Sequence, residues 1–131
     1  MINYFSKYKF IFYFSNFILI LLYLFPGSLL GCYLYDDCKQ QPQITPDFII
    51  STNHLYAFLV LSSIGFLTFR KSSQFYILSI YLIFISLAFE VMHHFIPDRS
   101  FELSDLFGNL IGTFIVIILS FFLKKYENFK N

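Results

Sequence analysis

Charge is what this chain has least of: Asp, Glu, Lys and Arg together make up 13% of its 131 residues. Nine basic and eight acidic residues leave a net charge of +1, so nothing electrostatic favours nucleic acid. With only two cysteines, a thiolate cage for a metal is excluded. The apolar runs also lack the polar face that a helix of a water-soluble domain keeps opposite its buried stripe. In contrast, 57% of the residues are hydrophobic and 20 are Phe and 10 Tyr. That composition excludes a disordered chain, which would be poor in aromatics and rich in charge.

The apolar residues fall into four runs. At about 20 residues per crossing of a bilayer core, four spans take about 80 residues and leave about 51 for loops and ends. The first run, residues 10–30, is kinked or ended near Pro26, whose ring removes a helix hydrogen bond. The second covers 48–69, the third 75–95 with Pro97 beyond it, and the fourth 106–123, closed by Lys124 and Lys125. The expected fold is therefore all-α, one domain over 1–131, a four-transmembrane-helix bundle.

Its orientation follows from the basic residues. Lys7, Lys9, Arg70, Lys71, Lys124, Lys125 and Lys130 fall on one side and only Lys39 and Arg99 on the other, which places both termini in the cytoplasm. A cleaved leader is the competing reading, because Leu29-Leu30-Gly31-Cys32 loosely resembles a lipoprotein cleavage box. The apolar stretch before it is longer than a signal peptide's usual core, so a retained helix is expected. Cys32 and Cys38, in the first outer loop, either pair in an oxidising compartment or are unrelated thiols. Four of the five glycines form Gly27-x-x-x-Gly31 and Gly108-x-x-x-Gly112, spacings that let helices approach closely in lipid. They lead us to expect the first and fourth spans to pack together.

A second set of residues is out of place in a membrane. Glu90 lies roughly 7–8 Å below the outer end of the third helix at 1.5 Å per residue, where a carboxylate needs a partner, a proton or water. His93 and His94 follow on its face at i+3 and i+4, and Arg99 is within reach of a folded-back loop. The fourth helix adds Ser104 as N-cap, Asp105 in the first turn and Asn109 four residues on; the second helix brings His54 to the same depth. His54, Glu90, His93, His94, Arg99, Asp105 and Asn109 are thus expected in one outer-leaflet layer. The plainer readings are a Glu90–Arg99 ion pair that fixes the loop, and Asp105 and Asn109 as helix pins. Tyr23 and the other tyrosines read as interfacial anchors and packing rather than as part of a site. Glu90-x-x-His93 has the spacing of a carboxylate–imidazole metal pair, with His94 and His54 near, but lacks the two-histidine helix of a zinc protease. No metal and no cofactor are expected.

Glu90-x-x-His93-x-x-x-Pro97-x-Arg99, followed by Asp105-x-x-x-Asn109-x-x-Gly112, resembles the signature of the VanZ-like family of small bacterial membrane proteins. The family usually has Gln at the place of His93, and an Asp-Lys pair before the histidine that His54 would match; here Ile50-Ser51-Thr52-Asn53 precede it. The resemblance implies a multi-pass protein of the bacterial cell membrane, linked to glycopeptide antibiotic resistance or to handling of envelope precursors, with no established reaction. It carries Glu90, Arg99, Asp105 and Asn109 over as binding residues, with His93 and His54 beside them. The partners expected are the lipid bilayer and a lipid-linked or cell-wall precursor bound without catalysis. The alternatives are an enzyme using Glu90 in acid–base chemistry and a purely structural subunit.

Overall fold

The structure is a computed structural model that describes residues 2–69 and 72–131, with the backbone path alone for residues 2–8 and 72. Arg70 and Lys71, two of the basic residues used for orientation, lie outside the described residues. Five helices, α1 (Ile2–Leu24), α2 (Leu29–Tyr35), α3 (Thr52–Thr68), α4 (Ser72–His93) and α5 (Leu103–Lys130), account for the regular structure among these residues. The all-α expectation holds. The boundaries differ from the four apolar runs, and each difference has a local cause.

The first run is split. Pro26 cannot donate to the carbonyl four residues back, and Gly27 follows at φ 80°, a backbone setting open to glycine. The chain turns by 80° and restarts as the short α2, where the Ser28 hydroxyl caps the Gly31 N–H at 3.0 Å. The first expected span is therefore a helix that starts near the amino terminus, stops at Leu24, and is followed by a separate turn of helix.

α3 begins at Thr52, later than the apolar run does, because Asp47 folds over its first turn. The Asp47 carboxylate accepts from both the Thr52 N–H and the Thr52 hydroxyl, each at 2.9 Å. Asn53 ties the preceding loop down further, donating to the Pro42 carbonyl at 2.6 Å and accepting from the Ile44 N–H at 3.2 Å. Cys32 and Cys38 form a disulfide, which settles the alternative left open by their spacing and ties the segment after α2 back to that helix.

α5 starts at Leu103 with Glu102 at the N-cap, so Ser104 is not the cap that its type suggests. It lies inside the helix, and its carbonyl accepts the Ser51 N–H at 3.1 Å. At the other end Lys124 and Lys125 do not stop the helix. No Gly or Pro breaks it there, Lys and Glu are good helix formers, and Lys124 reaches over the Phe75 ring at 5.2 Å.

By length and composition, α4 and α5 are long and apolar enough to cross a membrane, and the bent α1–α2 pair adds a third if counted as one span. α3, at 17 residues, reaches about 25 Å, less than the about 30 Å of a hydrocarbon core. The outward faces are apolar to a degree that water would not tolerate: Ile77 is 69% exposed and Ile80 68%. Inside, Phe58, Leu61, Leu82 and Phe89 form the central core.

The glycine spacing finds a different partner from the one expected. A Cβ on Gly108 would lie 2.5 Å from the Ser51 carbonyl, and one on Gly112 would lie 2.5 Å from the Leu55 carbonyl. Those contacts fall on α3, so α5 packs backbone to backbone against α3, not against α1. Gly27 and Gly31 instead abut the loop, at the Cys38 and Gln40 carbonyls. Spacing reports close approach; it carries no information about which element approaches.

Candidate functional site

The end of α1, the start of α3, the end of α4 and the start of α5 meet at one end of the bundle. Asn109 is at the centre, with no exposed surface. Its Nδ2 donates to the Ser86 carbonyl at 3.4 Å, which fixes the amide orientation and leaves Oδ1 as the acceptor. Two donors converge on that oxygen, the Tyr23 hydroxyl at 2.8 Å and His54 Nδ1 at 3.1 Å. Because Oδ1 can only accept, His54 carries its proton on Nδ1.

Glu90 is fully buried. One carboxylate oxygen, Oε1, accepts the Glu102 N–H at 2.8 Å, an otherwise unmet donor at the start of α5. This bond folds the 94–102 loop back over α4. The other oxygen, Oε2, has no hydrogen bond; His93 Nδ1 is 3.3 Å away, close enough for an ion pair but off hydrogen-bond geometry. His93 Nε2 meets the Tyr23 carbonyl at 2.9 Å and must donate there.

Arg99 answers the break in α1. Pro26 has no N–H to offer the Leu22 carbonyl, four residues back, and Arg99 Nη2 donates to that carbonyl at 2.8 Å. Its Nε donates to the Phe25 carbonyl at 3.3 Å. The Glu90–Arg99 ion pair anticipated from the sequence does not form: among the described residues no carboxylate pairs with Arg99, because the carbonyls freed by Pro26 claim it. Burial lowers the pKa of the guanidinium from its ordinary value, against the upward pull of Tyr23, Asp105 and Glu90. It remains a cation, and among the described residues only the Leu22 and Phe25 carbonyls accept from its five N–H donors.

Asp105, with 19% of its side chain exposed, places Oδ2 3.5 Å from His54 Nε2. Together His54, Glu90 and Asp105 each offer one donor atom, all within 4.8 Å of one another. Six of the expected residues, His54, Glu90, His93, Arg99, Asp105 and Asn109, are therefore at this end of the bundle. His94 is not among them; it is exposed and lies against Phe95, because α4 ends at His93 and the chain turns away.

Tyr23 is the member that the sequence hides. It reads as an interfacial anchor or packing residue and is indeed buried, but it also belongs to the polar cluster: it bonds Asn109, stacks on His93 with ring centroids 5.7 Å apart and meets the edge of His54 at 4.9 Å. Its position one turn before the Pro26 break, level with the other polar residues, was the available signal.

A cavity of about 570 Å³ opens beside this cluster between α1, α2 and α3. Ile18, Leu19, Leu22, Ala57, Val60 and Leu61 give it an apolar lining, and Tyr23, His54 and Arg99 line it too, with Ser15, Ser28, Gln41, Asn53 and Tyr56 as further polar groups. Glu90, Asp105 and Asn109 do not line it; Asn109 bonds Tyr23 and His54, which do, and Asp105 lies 3.5 Å from His54. Comparison with protein-family models, with curated proteins and with solved structures finds no match to this chain.

Proposed function

We propose that this chain is a VanZ-like protein of the bacterial cell membrane whose α1, α3, α4 and α5 all cross the bilayer, with both termini cytoplasmic. Its function would be to hold an amphiphile with an anionic headgroup, such as a lipid-linked envelope precursor, without catalysis. The observation that carries this reading is the cavity: one space is lined by aliphatic side chains of α1 and α3 and also by Arg99, His54 and Tyr23. An apolar cleft with a few convergent polar groups is the usual form of a small-molecule site, and a guanidinium suits a phosphate or carboxylate head.

The crossing of α3 is supported by its packing. It is short for a span, but its partner α5 shields it at glycine distance, and its polar start is tied to Pro42, Thr45 and Asp47 of the loop before it. The sorting of basic residues to the far end supports the orientation. The catalytic alternative has less behind it, since Glu90 is fully buried and does not line the cavity. A link to glycopeptide resistance would follow from the precursor class, and rests on the family resemblance alone.

The test is photolabelling of the full chain in nanodiscs with a diazirine-bearing alkyl phosphate, followed by mapping of the labelled residues. Label concentrated on the cavity wall, Ile18, Leu22, Ala57 and Val60, is expected. Label spread over the outer faces of α4 and α5, at Ile77, Ile80 and Leu119, would overturn the reading.

A further inference from the structure

We infer that His54, Glu90 and Asp105 form a binding site for one divalent transition-metal cation, of which Zn²⁺ is the most suitable probe. His54 is common to this site and to the cavity, but the inference does not depend on the amphiphile reading, because Glu90 and Asp105 do not line the cavity. It starts from a count of donors and acceptors.

His54 spends its only proton, in the neutral form, on Asn109 Oδ1. Its Nε2 therefore presents a lone pair, and 3.5 Å away is Asp105 Oδ2, which when ionised is also an acceptor. Two acceptors face each other with nothing between them. Glu90 adds a third acceptor: Oε1 is engaged with the Glu102 N–H, while Oε2 is buried without a hydrogen bond, with His93 Nδ1 3.3 Å away and off hydrogen-bond geometry. A cation at this point would give the three acceptors a common partner.

The dimensions suit the ion. In a tetrahedral zinc site with bonds near 2.0–2.1 Å, donor atoms are about 3.3–3.5 Å apart, and the His54 Nε2 to Asp105 Oδ2 separation of 3.5 Å is one such edge. All three donor atoms lie within 4.8 Å of one another, so a modest inward adjustment of Glu90 closes the set. Two carboxylates and a neutral imidazole around a divalent ion sum to zero charge, which removes the cost of isolated charge in an apolar surround. An imidazole in the set favours a transition metal over Mg²⁺ or Ca²⁺.

The surroundings resemble those of a metal ligand. A metal-bound histidine nearly always donates its other N–H to an oxygen that fixes its tautomer, and Asn109 does this here, itself held by Ser86 and Tyr23. Asp105, partly exposed, provides the entry path. This triad differs from the one that the Glu90-x-x-His93 spacing calls to mind. His93 is committed to the Tyr23 carbonyl and His94 points elsewhere, so the ligand set spans three helices and no local motif contains it.

The experiment is calorimetric titration of Zn²⁺ into the full chain, stripped of metal by chelator and kept under non-reducing conditions in detergent. One Zn²⁺ per chain is expected. Asp105→Asn and Glu90→Gln, which keep their shape and hydrogen-bonding oxygen, should each weaken binding by more than the about 10- to 100-fold that a change outside the ligand set costs. His94→Ala should leave it unchanged. No stoichiometric binding, undiminished binding in both variants, or loss in His94→Ala would overturn the site. X-ray absorption at the zinc edge of the unsubstituted chain reads the same claim without variants. One imidazole with oxygen donors supports it; sulfur, or two or more imidazoles, contradicts it.

Discussion

The two ends of the bundle are buried to a similar degree by different means. At one end Phe12, Phe66, Phe69 and Phe75 meet ring against ring, with Phe12 and Phe69 at 5.3 Å and Phe66 and Phe75 at 5.0 Å. At the other, Tyr23, His54, His93 and Asn109 are joined by hydrogen bonds, with Glu90 3.3 Å from His93 and bonded to the Glu102 N–H. Aromatic packing is tolerant, since a ring can be exchanged for another apolar group of similar volume at small cost. A buried polar network is not, because removing one member strands the others. The polar end is thus where substitution should be felt most.

The largest effect should come from Glu90→Ala. It leaves the Glu102 N–H and His93 without their partner inside an apolar surround, and should lower stability on the order of 4 kcal/mol, read by unfolding in detergent. Glu90→Gln should recover most of this, since its amide oxygen can still accept the Glu102 N–H. Equal losses in the two variants would mean that the charge, and not the acceptor, holds the loop. Next is Gly112→Ala, whose added carbon would sit 2.5 Å from the Leu55 carbonyl and force α3 from α5, at about 1–3 kcal/mol. The same substitution should leave contacts of α1 unchanged, as crosslinking between α1 and α3 would report. Replacing Cys32 and Cys38 with serine opens a loop whose ends are six positions apart, and should cost roughly 2 kcal/mol. At the aromatic end, Phe66→Leu should cost about 1 kcal/mol. A loss there as large as that of Glu90→Ala would erase the contrast between the two ends.

The same contrast explains what could be read from the sequence. Apolar runs announce helices, because each must bury or immerse all its faces, and the all-α fold follows. Their ends depend on side chains from elsewhere: Asp47 delays α3, and Glu90 satisfies the start of α5, so Ser51 and Ser104, which look like caps, make no side-chain cap. Depth along each helix is additive in residue number, which is why His54, Glu90, Asp105 and Asn109 could be placed at one level. Partnership is not additive. Arg99 was matched to the nearest opposite charge, whereas the carbonyls released by Pro26 are what it serves. Tyr23 was missed for a related reason, as a tyrosine near a helix end looks the same whether it faces a lipid headgroup or an asparagine on another helix.

The polar end would be a strong structural knot even if it bound nothing, so the most direct test of the account is headgroup discrimination. The full chain in nanodiscs should bind a dodecyl phosphate in preference to dodecanol, and Arg99→Gln should abolish the preference while Arg99→Lys retains part of it. Equal binding of the phosphate and the alcohol by the unsubstituted chain, or a preference that survives Arg99→Gln, would contradict the claim that the cavity contains an anion site.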